Sequence, residues 1–307
     1  MTDPATPVIG AARPAGSDSG TAGLRRGTAS AFVAPALLLI AVFLVFPALW
    51  LLWIGLTDLT VSGRTSVDVS VVGLDNYAKA LDDPLFGNSL WITLLFVFGS
   101  AVIGQNCLGF ALAWTLRAAG RRVRTLVESA VLLAWILPSS VVAVLWIAML
   151  DRDEGTVNRL LDTPGYAWMI RYPLAVLIVF NIWRGTAFSM LLYSAAVSTV
   201  PPSQLESARL AGASGPQTLR DVVFPHLRGH VLTNTLLISL WTFNDFTPYL
   251  LTRGEPNHRS ETLPIFLYRQ GIDEGALGYG AAASVLMLLI NLVLALFYLR
   301  LLRRRTA

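Results

Sequence analysis

The chain has 307 residues, of which 54% are hydrophobic and only 14% are charged. Its mean hydropathy of +0.60 is too high for an ordinary soluble domain, so the composition indicates a membrane protein. A formal net charge of +4 without a basic face interleaved with aromatic residues argues against nucleic-acid binding. The single cysteine excludes an intrachain disulfide.

Residues 1–27 are rich in Ala, Gly, Pro, Ser and Thr, which predicts a disordered cytoplasmic tail. Residues 28–307 are predicted to form one transmembrane domain. A helix needs ~20 mostly apolar residues to cross a hydrocarbon core of ~30 Å. Six runs meet this length, and the fold class predicted from them is an all-α integral membrane protein with six transmembrane helices. The runs are 31–56, 90–116, 131–150, 174–198, 231–251 and 278–302.

The distribution of arginine predicts how the helices are oriented. Cytoplasmic segments of membrane proteins carry an excess of Lys and Arg. If both termini are cytoplasmic, the arginine clusters at 117–124, 209–228 and 300–305 all fall on the cytoplasmic side. The polar segment 201–230 therefore faces the cytoplasm.

Segment 201–230 reads as a helix, a turn and a second helix. Ser203 is predicted to cap the first helix, with Glu206 completing a capping box. Gly215-Pro216 is expected to break the chain, and a second short helix is expected at 217–223.

The same segment resembles the EAA loop of the permease subunits of binding-protein-dependent ABC importers. That pattern is Glu-Ala-Ala, then a Gly, and further on Ile-x-Leu-Pro; here Ser207 replaces the first Ala. The resemblance implies that the loop docks into a groove of an ATP-hydrolysing subunit. The residues to which it assigns this coupling role are Glu206, Ser207, Ala208, Gly212, Phe224 and Pro225.

Three further segments, 72–77, 241–246 and 261–264, look like the carbohydrate-uptake type of these permeases. The resemblance implies a type I permease fold with cytoplasmic coupling helices, spanning the bacterial cytoplasmic (inner) membrane several times. It also implies five kinds of partner: a second permease subunit, two ABC ATPase subunits, an extracytoplasmic solute-binding protein, membrane lipid and a carbohydrate substrate.

The chain shows no catalytic machinery of its own. Its only lysine, Lys79, lacks the glycines of a phosphate-binding loop, so a partner or an ion gradient has to supply the energy. No catalytic residue, cofactor or metal site is predicted. The alternative function is an ion-coupled secondary transporter of a small polar solute, in which Arg184 and Asp245 would carry the coupling.

Polar residues inside two of the spans predict a substrate path, because such residues are costly in a bilayer. Arg184 and Asp245 are expected to meet in the outer half of the membrane. They would form either a structural salt bridge or part of an aromatic-lined cavity for a hydroxyl-rich ligand. The predicted path residues are Asn181, Arg184, Phe188, Trp241, Asn244, Asp245 and Tyr249.

The second span contains Gln105, Asn106 and Cys107 at mid-depth. The two amides are expected to bond to a neighbouring helix, with a place in the path as the alternative. Cys107 is expected to be buried. Pro138 is expected to kink the third span.

Overall fold

The computed structural model describes residues 26–306, with side chains from 32 to 303. The predicted tail therefore lies almost wholly outside the described residues. The chain divides into two units, Met1–Leu49 and Trp50–Ala307. Within the described residues all regular structure is helical apart from one isolated β-bridge between Thr57 and Val71, which confirms the all-α prediction.

The helices follow one another closely, and several are joined without a break by short π-helical segments. In chain order they are α1 (Arg26–Ile40), a π segment (Ala41–Val45), α2 (Phe46–Gly55), a 3₁₀ turn (Arg64–Ser66), α3 (Asp75–Asp82), α4 (Pro84–Phe96), a π segment (Val97–Gln105), α5 (Asn106–Leu116), α6 (Arg121–Ile136), α7 (Ser139–Met149), α8 (Thr156–Leu161), α9 (Trp168–Arg171), α10 (Pro173–Ser198), α11 (Pro202–Leu210), α12 (Gly215–Thr218), a π segment (Leu219–Val223), α13 (Phe224–Phe243), α14 (Thr247–Thr252), α15 (Leu263–Tyr268), a π segment (Arg269–Asp273) and α16 (Leu277–Thr306).

Among the described residues, four helical stretches are long and apolar enough to cross a membrane, or up to five if a bent pair counts as one span. The four are Phe32–Gly55, Pro84–Leu116, Pro173–Ser198 and Leu277–Arg303. The predicted run 231–251 falls on α13 and α14, which are separated at 244–246, and it is not among them. The count of six spans stays a prediction.

The predicted third span changes direction at Pro138, where a kink was expected. It lies in α6 and α7, which meet at an angle of 104°. Pro138 has no N–H to donate and disfavours helical dihedrals at the preceding residue, and Leu137 is accordingly extended, with ψ of 140°. The bend sends α7 in a new direction, with Ser139 at its first turn.

Glycines allow α5 to lie close against α10. A Cβ on Gly109 would come within 2.5 Å of the Ser189 Cβ and 2.9 Å of the Met190 backbone nitrogen. Small residues at such crossings let helix backbones approach within the membrane. This contact fixes the position of α10, the helix that carries Asn181 and Arg184.

Asn106 joins α5 to α10 and α13 through a buried hydrogen-bond network. Its Oδ1 accepts from the Tyr193 hydroxyl and, at 2.9 Å, from Asn234 Nδ2, while its own amide donates to the Thr235 hydroxyl at 3.2 Å. Asn234 also donates to Ser189 at 3.0 Å. The expected interhelical bonding of Asn106 is confirmed.

The expectation for Cys107 was wrong. Its side chain is exposed, whereas the adjacent Asn106 is buried. One residue corresponds to about 100° of rotation on an α-helix, so neighbours readily face opposite sides. The thiol therefore lies on the outer surface of α5.

Asn76, within the segment 72–77 that resembles carbohydrate permeases, closes the end of α2. Its amide donates to the backbone carbonyls of Gly55 at 3.1 Å and Thr57 at 2.7 Å. These carbonyls follow the last full turn of the helix and lack partners within it. Asn76 thus stabilises the end of α2.

A buried carboxylate anchors the segment between α14 and α15. The side chain of Glu261 is only 2% exposed and contacts His258 Nδ1 at 2.6 Å and Arg269 Nη2 at 3.0 Å. Burial raises the pKa of Glu261, an effect that the neighbouring Arg269 and His258 oppose. His258, to which the sequence assigned no role, is part of this anchor.

The helix-turn-helix form of segment 201–230 is present, but its caps differ from those expected. Helix α11 begins after Pro201 without a side-chain cap, so the capping box expected at Ser203 and Glu206 was wrong. The capping box lies instead at Ser214 and Gln217, before α12. Proline suits the first turn of a helix because it needs no N–H partner there.

Gly215-Pro216 starts α12 rather than breaking the chain, and this expectation was also wrong. The turn occurs just before it, around Gly212, whose φ of +76° favours glycine. From Gly215 the chain runs through a π segment, Leu219–Val223, directly into α13, so the expected separate helix at 217–223 is only its beginning.

We expect Gly109→Ala to destabilise the protein by about 1–3 kcal/mol, because the added methyl group overlaps backbone and Cβ atoms of α10. The measurement is the midpoint of thermal unfolding in detergent. Gly87→Ala is the matched control, since Gly87 lies in α4 with open space where its Cβ would be. Equal stability of the two variants would contradict the close packing of α5 on α10.

We expect Ser214→Ala to weaken the start of α12 by about 0.5–2 kcal/mol, because it removes the side-chain acceptor of the capping box. Hydrogen exchange of the amides of 215–223 should quicken accordingly. Ser203→Ala should leave the exchange of α11 unchanged, since Ser203 does not cap it. Faster exchange in α11 of the Ser203 variant would favour the capping box predicted from sequence.

Candidate functional site

A cavity lies where α6, α10 and α13 approach the end of the π segment before α5. Its volume is about 40 Å³, and the space including its open mouth is about 420 Å³. Asn181, Arg184, Phe188, Trp241 and Asp245, which the sequence placed in the path, all line it. The other lining residues are Gln105, Trp135, Gly185, Ile238 and Thr242.

Three aromatic rings form one wall of the cavity. The ring centroids are 6.3 Å apart for Trp135 and Phe188, 6.1 Å for Trp135 and Trp241, and 5.9 Å for Phe188 and Trp241. Trp241 is 55% exposed, so part of its surface is available to a ligand or a neighbouring subunit. Tilted and edge-on arrangements of this kind are favourable for aromatic pairs.

The polar wall includes both charged residues. Of the two alternatives for Arg184 and Asp245, they line the cavity and do not form a direct salt bridge. No nitrogen of Arg184 lies within 4.0 Å of an Asp245 oxygen. Thr247 stands between them: its hydroxyl accepts from Arg184 Nη1 at 3.1 Å and donates to Asp245 Oδ1 at 2.6 Å. Arg184 Nη2 donates to the Ser139 hydroxyl at 2.6 Å.

Amide and hydroxyl groups connect this wall to the adjacent helices. Asn181 donates to the Ser100 hydroxyl at 2.7 Å and to Thr242 at 3.3 Å. The Gln105 amide donates to the Asn181 carbonyl at 3.1 Å. Gln105 therefore bonds to a neighbouring helix, as expected, and also lines the cavity.

Two predicted path residues do not line the cavity. Asn244 exchanges hydrogen bonds of 3.1 Å with Asn291 on α16. Tyr249 stacks on Phe246, with ring centroids 4.8 Å apart, and contacts Tyr268 at 5.0 Å. The chain turns away from the α13 axis at 244–246, so a helical projection continued from Trp241 places Tyr249 on the wrong face.

Sequence reasoning did not predict the roles of three residues at this site. Trp135 lies in an apolar run without a polar neighbour, and Ser139 is brought to Arg184 only by the bend at Pro138. Thr247 depends on the short helix α14, which starts there. A proline followed by two serines inside an apolar run was the available signal for Ser139.

Segment 201–230 forms a second candidate surface. Ser207, Ala208 and Pro225 line one open groove between α11 and the start of α13. Glu206 and Gly212 are exposed nearby, and Phe224 packs on Phe110 with centroids 5.2 Å apart. The groove is completed by Ser203, Gln204, Asp221, Val222 and His226.

A small apolar core packs this surface against the ends of α10 and α13. Val200, Val223 and Leu227 are buried together with Ala196 and Val197 near the end of α10. Leu210 at the end of α11 is 90% exposed. The sequence did not single out Leu210.

Comparison with known proteins identifies the family. Residues 105–307 match the family model described as "Binding-protein-dependent transport system inner membrane component". A probable ABC transporter permease protein of Pyrococcus horikoshii is 31% identical over 281 residues, which cover 87% of this chain and 93% of the relative.

Two further relatives have more specific names. The sulfoquinovosyl glycerol transport system permease protein SmoG of Agrobacterium fabrum is 25% identical, covering 89% of each chain. The sn-glycerol-3-phosphate transport system permease protein UgpA of the same organism is 28% identical, covering 89% of this chain and 94% of the relative.

The fold agrees with this family. A chain of a bacterial alginate ABC transporter, crystallised with an alginate pentasaccharide-bound periplasmic protein, aligns with a TM-score of 0.77 and 20% identity. The alignment covers 90% of this chain and 94% of that one. The chain belongs to the family of binding-protein-dependent transport system inner membrane components and is the non-catalytic transmembrane subunit of an ABC importer, with ATP hydrolysis in a partner subunit.

Proposed function

We propose that this subunit helps to import a sugar or a related polyol into the cytoplasm, together with a second permease subunit, two ATPase subunits and a solute-binding protein. The cavity carries this proposal, because it joins an aromatic wall to hydrogen-bonding groups within helices of a membrane protein. Aromatic faces stack on sugar rings, and amides, hydroxyls and carboxylates bond to their hydroxyl groups. The names of SmoG and UgpA, which refer to glycerol derivatives, support this substrate class.

The proposed orientation keeps both termini and segment 201–230 on the cytoplasmic side, with six crossings. The arginine clusters at 117–124 and 300–305 support it. The bent pair α6 and α7 would supply one crossing, and α13 with α14 would supply another. In this arrangement the open side of the cavity faces the second permease subunit, which would complete the path.

The coupling segment is proposed to insert α11 into a groove of the ATPase. Leu210 would be its apolar anchor, because a largely exposed side chain of this size gains most from burial in a partner. Gly212 would allow the tight turn that follows. Glu206, Ser207 and Ala208 lie on the exposed or groove-lining side of the same helix.

Two continuous helices would carry the motion of the ATPase to the cavity. Near segment 201–230, Val200, Val223 and Leu227 hold the end of α10 against the start of α13. Farther along the same helices lie Arg184 on α10 and Trp241 on α13. A displacement of segment 201–230 would therefore move the residues of both helices that line the cavity. Alternating access requires such a movement.

We expect Gly212→Asp to reduce copurification of the ATPase and to abolish ATP-dependent uptake while the subunit still inserts into the membrane. The substitution places a side chain on backbone with φ of +76° and adds a charge at the docking surface. Gly120→Asp is the control, since its position has open space and an ordinary φ of −59°. If the Gly212 variant still bound the ATPase and transported solute, the docking role would be rejected.

We expect Trp241→Ala to lower uptake about tenfold, because loss of an aromatic contact with a sugar ring costs about 1.5 kcal/mol. Uptake is measured in proteoliposomes that contain the second permease, the ATPase and the binding protein with its radiolabelled ligand. Trp91→Ala removes a similarly exposed tryptophan of α4 that lies outside the cavity. Equal uptake by the two variants would place the path elsewhere.

A further inference from the structure

Another cavity lies where two of the long apolar helices begin. Its volume is about 310 Å³, and about 620 Å³ with its open mouth, which is within the range of small-molecule sites. Helices α4 and α10 both contribute to it, and they start the stretches Pro84–Leu116 and Pro173–Ser198, which are long and apolar enough to cross a membrane. The cavity therefore opens near the membrane boundary. The lining residues are Asn88, Ile92, Tyr172, Pro173, Leu174, Ala175 and Arg259.

The cavity changes from polar to apolar along α4. Asn88 and Ile92 lie on the same face of this helix, four residues and thus ~6 Å apart along its axis. Ile92 is the farther of the two from the start of the helix and is buried. Pro173 and Leu174 add apolar surface from α10. A ligand that fits both parts needs a polar head and a hydrocarbon chain.

The polar part carries positive charge without a nearby carboxylate. Arg259 is exposed, and its Nη2 donates to the Arg171 carbonyl over a long 3.5 Å. The Arg171 guanidinium interacts with the hydroxyl of Tyr172 and lies over the ring of Tyr166, 5.7 Å from its centroid. Within the described residues, no carboxylate oxygen lies within 4.0 Å of a nitrogen of either arginine. The chain thus supplies two cations here and no anion in contact with them.

Arginine at this end of the helices has a different explanation from arginine in the cytoplasmic clusters. In the proposed orientation the starts of α4 and α10 face away from the cytoplasm. Membrane topology favours Lys and Arg on the cytoplasmic side, so it does not account for Arg171 and Arg259. Phospholipid headgroups lie at the level of the membrane boundary, and basic pockets between membrane helices bind anionic headgroups.

We propose that this cavity binds one anionic phospholipid, with its phosphate at Arg259 and an acyl chain along Ile92 and Leu174. A guanidinium group binds phosphate through charge-assisted hydrogen bonds. A headgroup with a net negative charge fits better than a zwitterionic one, whose ammonium group would lie beside two arginines. Asn88 and Tyr172 would bond to hydroxyl groups of the headgroup. This lipid site is independent of the transported solute.

Native mass spectrometry of the importer complex in detergent tests the site. Phosphatidylglycerol is compared with phosphatidylethanolamine that has the same acyl chains. We expect the first phosphatidylglycerol to bind about fivefold more tightly, since one basic residue near a membrane surface contributes about this factor toward anionic lipid. A photoactivatable phosphatidylglycerol should crosslink to residues 88–92 or 172–175. Equal affinity for the two lipids, or crosslinks confined to other segments, would overturn the proposal.

Variants assign the lipid preference to Arg259. Arg259→Gln should remove most of it, whereas Arg259→Lys should keep it because the charge remains. Arg253→Gln is the matched control, since Arg253 is an exposed arginine of the same segment that does not line the cavity. Copurification of the ATPase reports whether each variant is folded. A correctly folded Arg259→Gln variant with an undiminished preference would contradict the assignment, and the comparison of lipids on the unaltered protein needs no variant.

Two competitors separate a lipid from other anionic ligands. Glycerophosphoglycerol has the headgroup of phosphatidylglycerol without the acyl chains, so we expect it to displace the lipid only at much higher concentration. Displacement at equal concentration would assign the site to a soluble anion. The solute-binding protein should leave the lipid in place, and release of the lipid when this protein docks would assign the surface to that contact instead. Either result would overturn the lipid site.

Discussion

The position of α10 depends on polar side chains that have only other helices to bond to. Asn181 bonds to the π segment before α5 and to α13, and Asn106 of α5 bonds to Tyr193 of α10 and Asn234 of α13. In a bilayer an unpaired polar group costs several kcal/mol, so these bonds restrict how the helices can slide or rotate. Gly109 makes the bonds reachable by letting α5 approach α10. The cavity is shaped by this restriction.

The sequence predicted best those features that depend on composition or on short-range pattern. The all-helical fold and the polar faces of α10 and α13 follow from apolar runs and helical periodicity. Arg184 and Asp245 lie in the same cavity, as expected from their depth. Helical periodicity holds only while the helix continues, however, and Tyr249 was misplaced because α13 ends at Phe243.

The features that sequence reasoning missed depend on geometry between distant segments. Proline at 138 signalled a kink, but the size of the bend, and hence the contact of Ser139 with Arg184, depends on how α7 packs. The cap of α11 was misassigned because Pro201 and Pro202 begin that helix without a side-chain acceptor. In both cases the local sequence is compatible with more than one backbone geometry. Contacts with distant segments determine which geometry forms.

The exposure of Leu210 has a consequence for the life of the subunit in the cell. In the proposed orientation this side chain projects into the cytoplasm until the ATPase covers it. An unassembled copy displays it permanently, next to a turn that proteases and chaperones can reach. The residue proposed to anchor the ATPase would thus distinguish unassembled subunits from assembled ones.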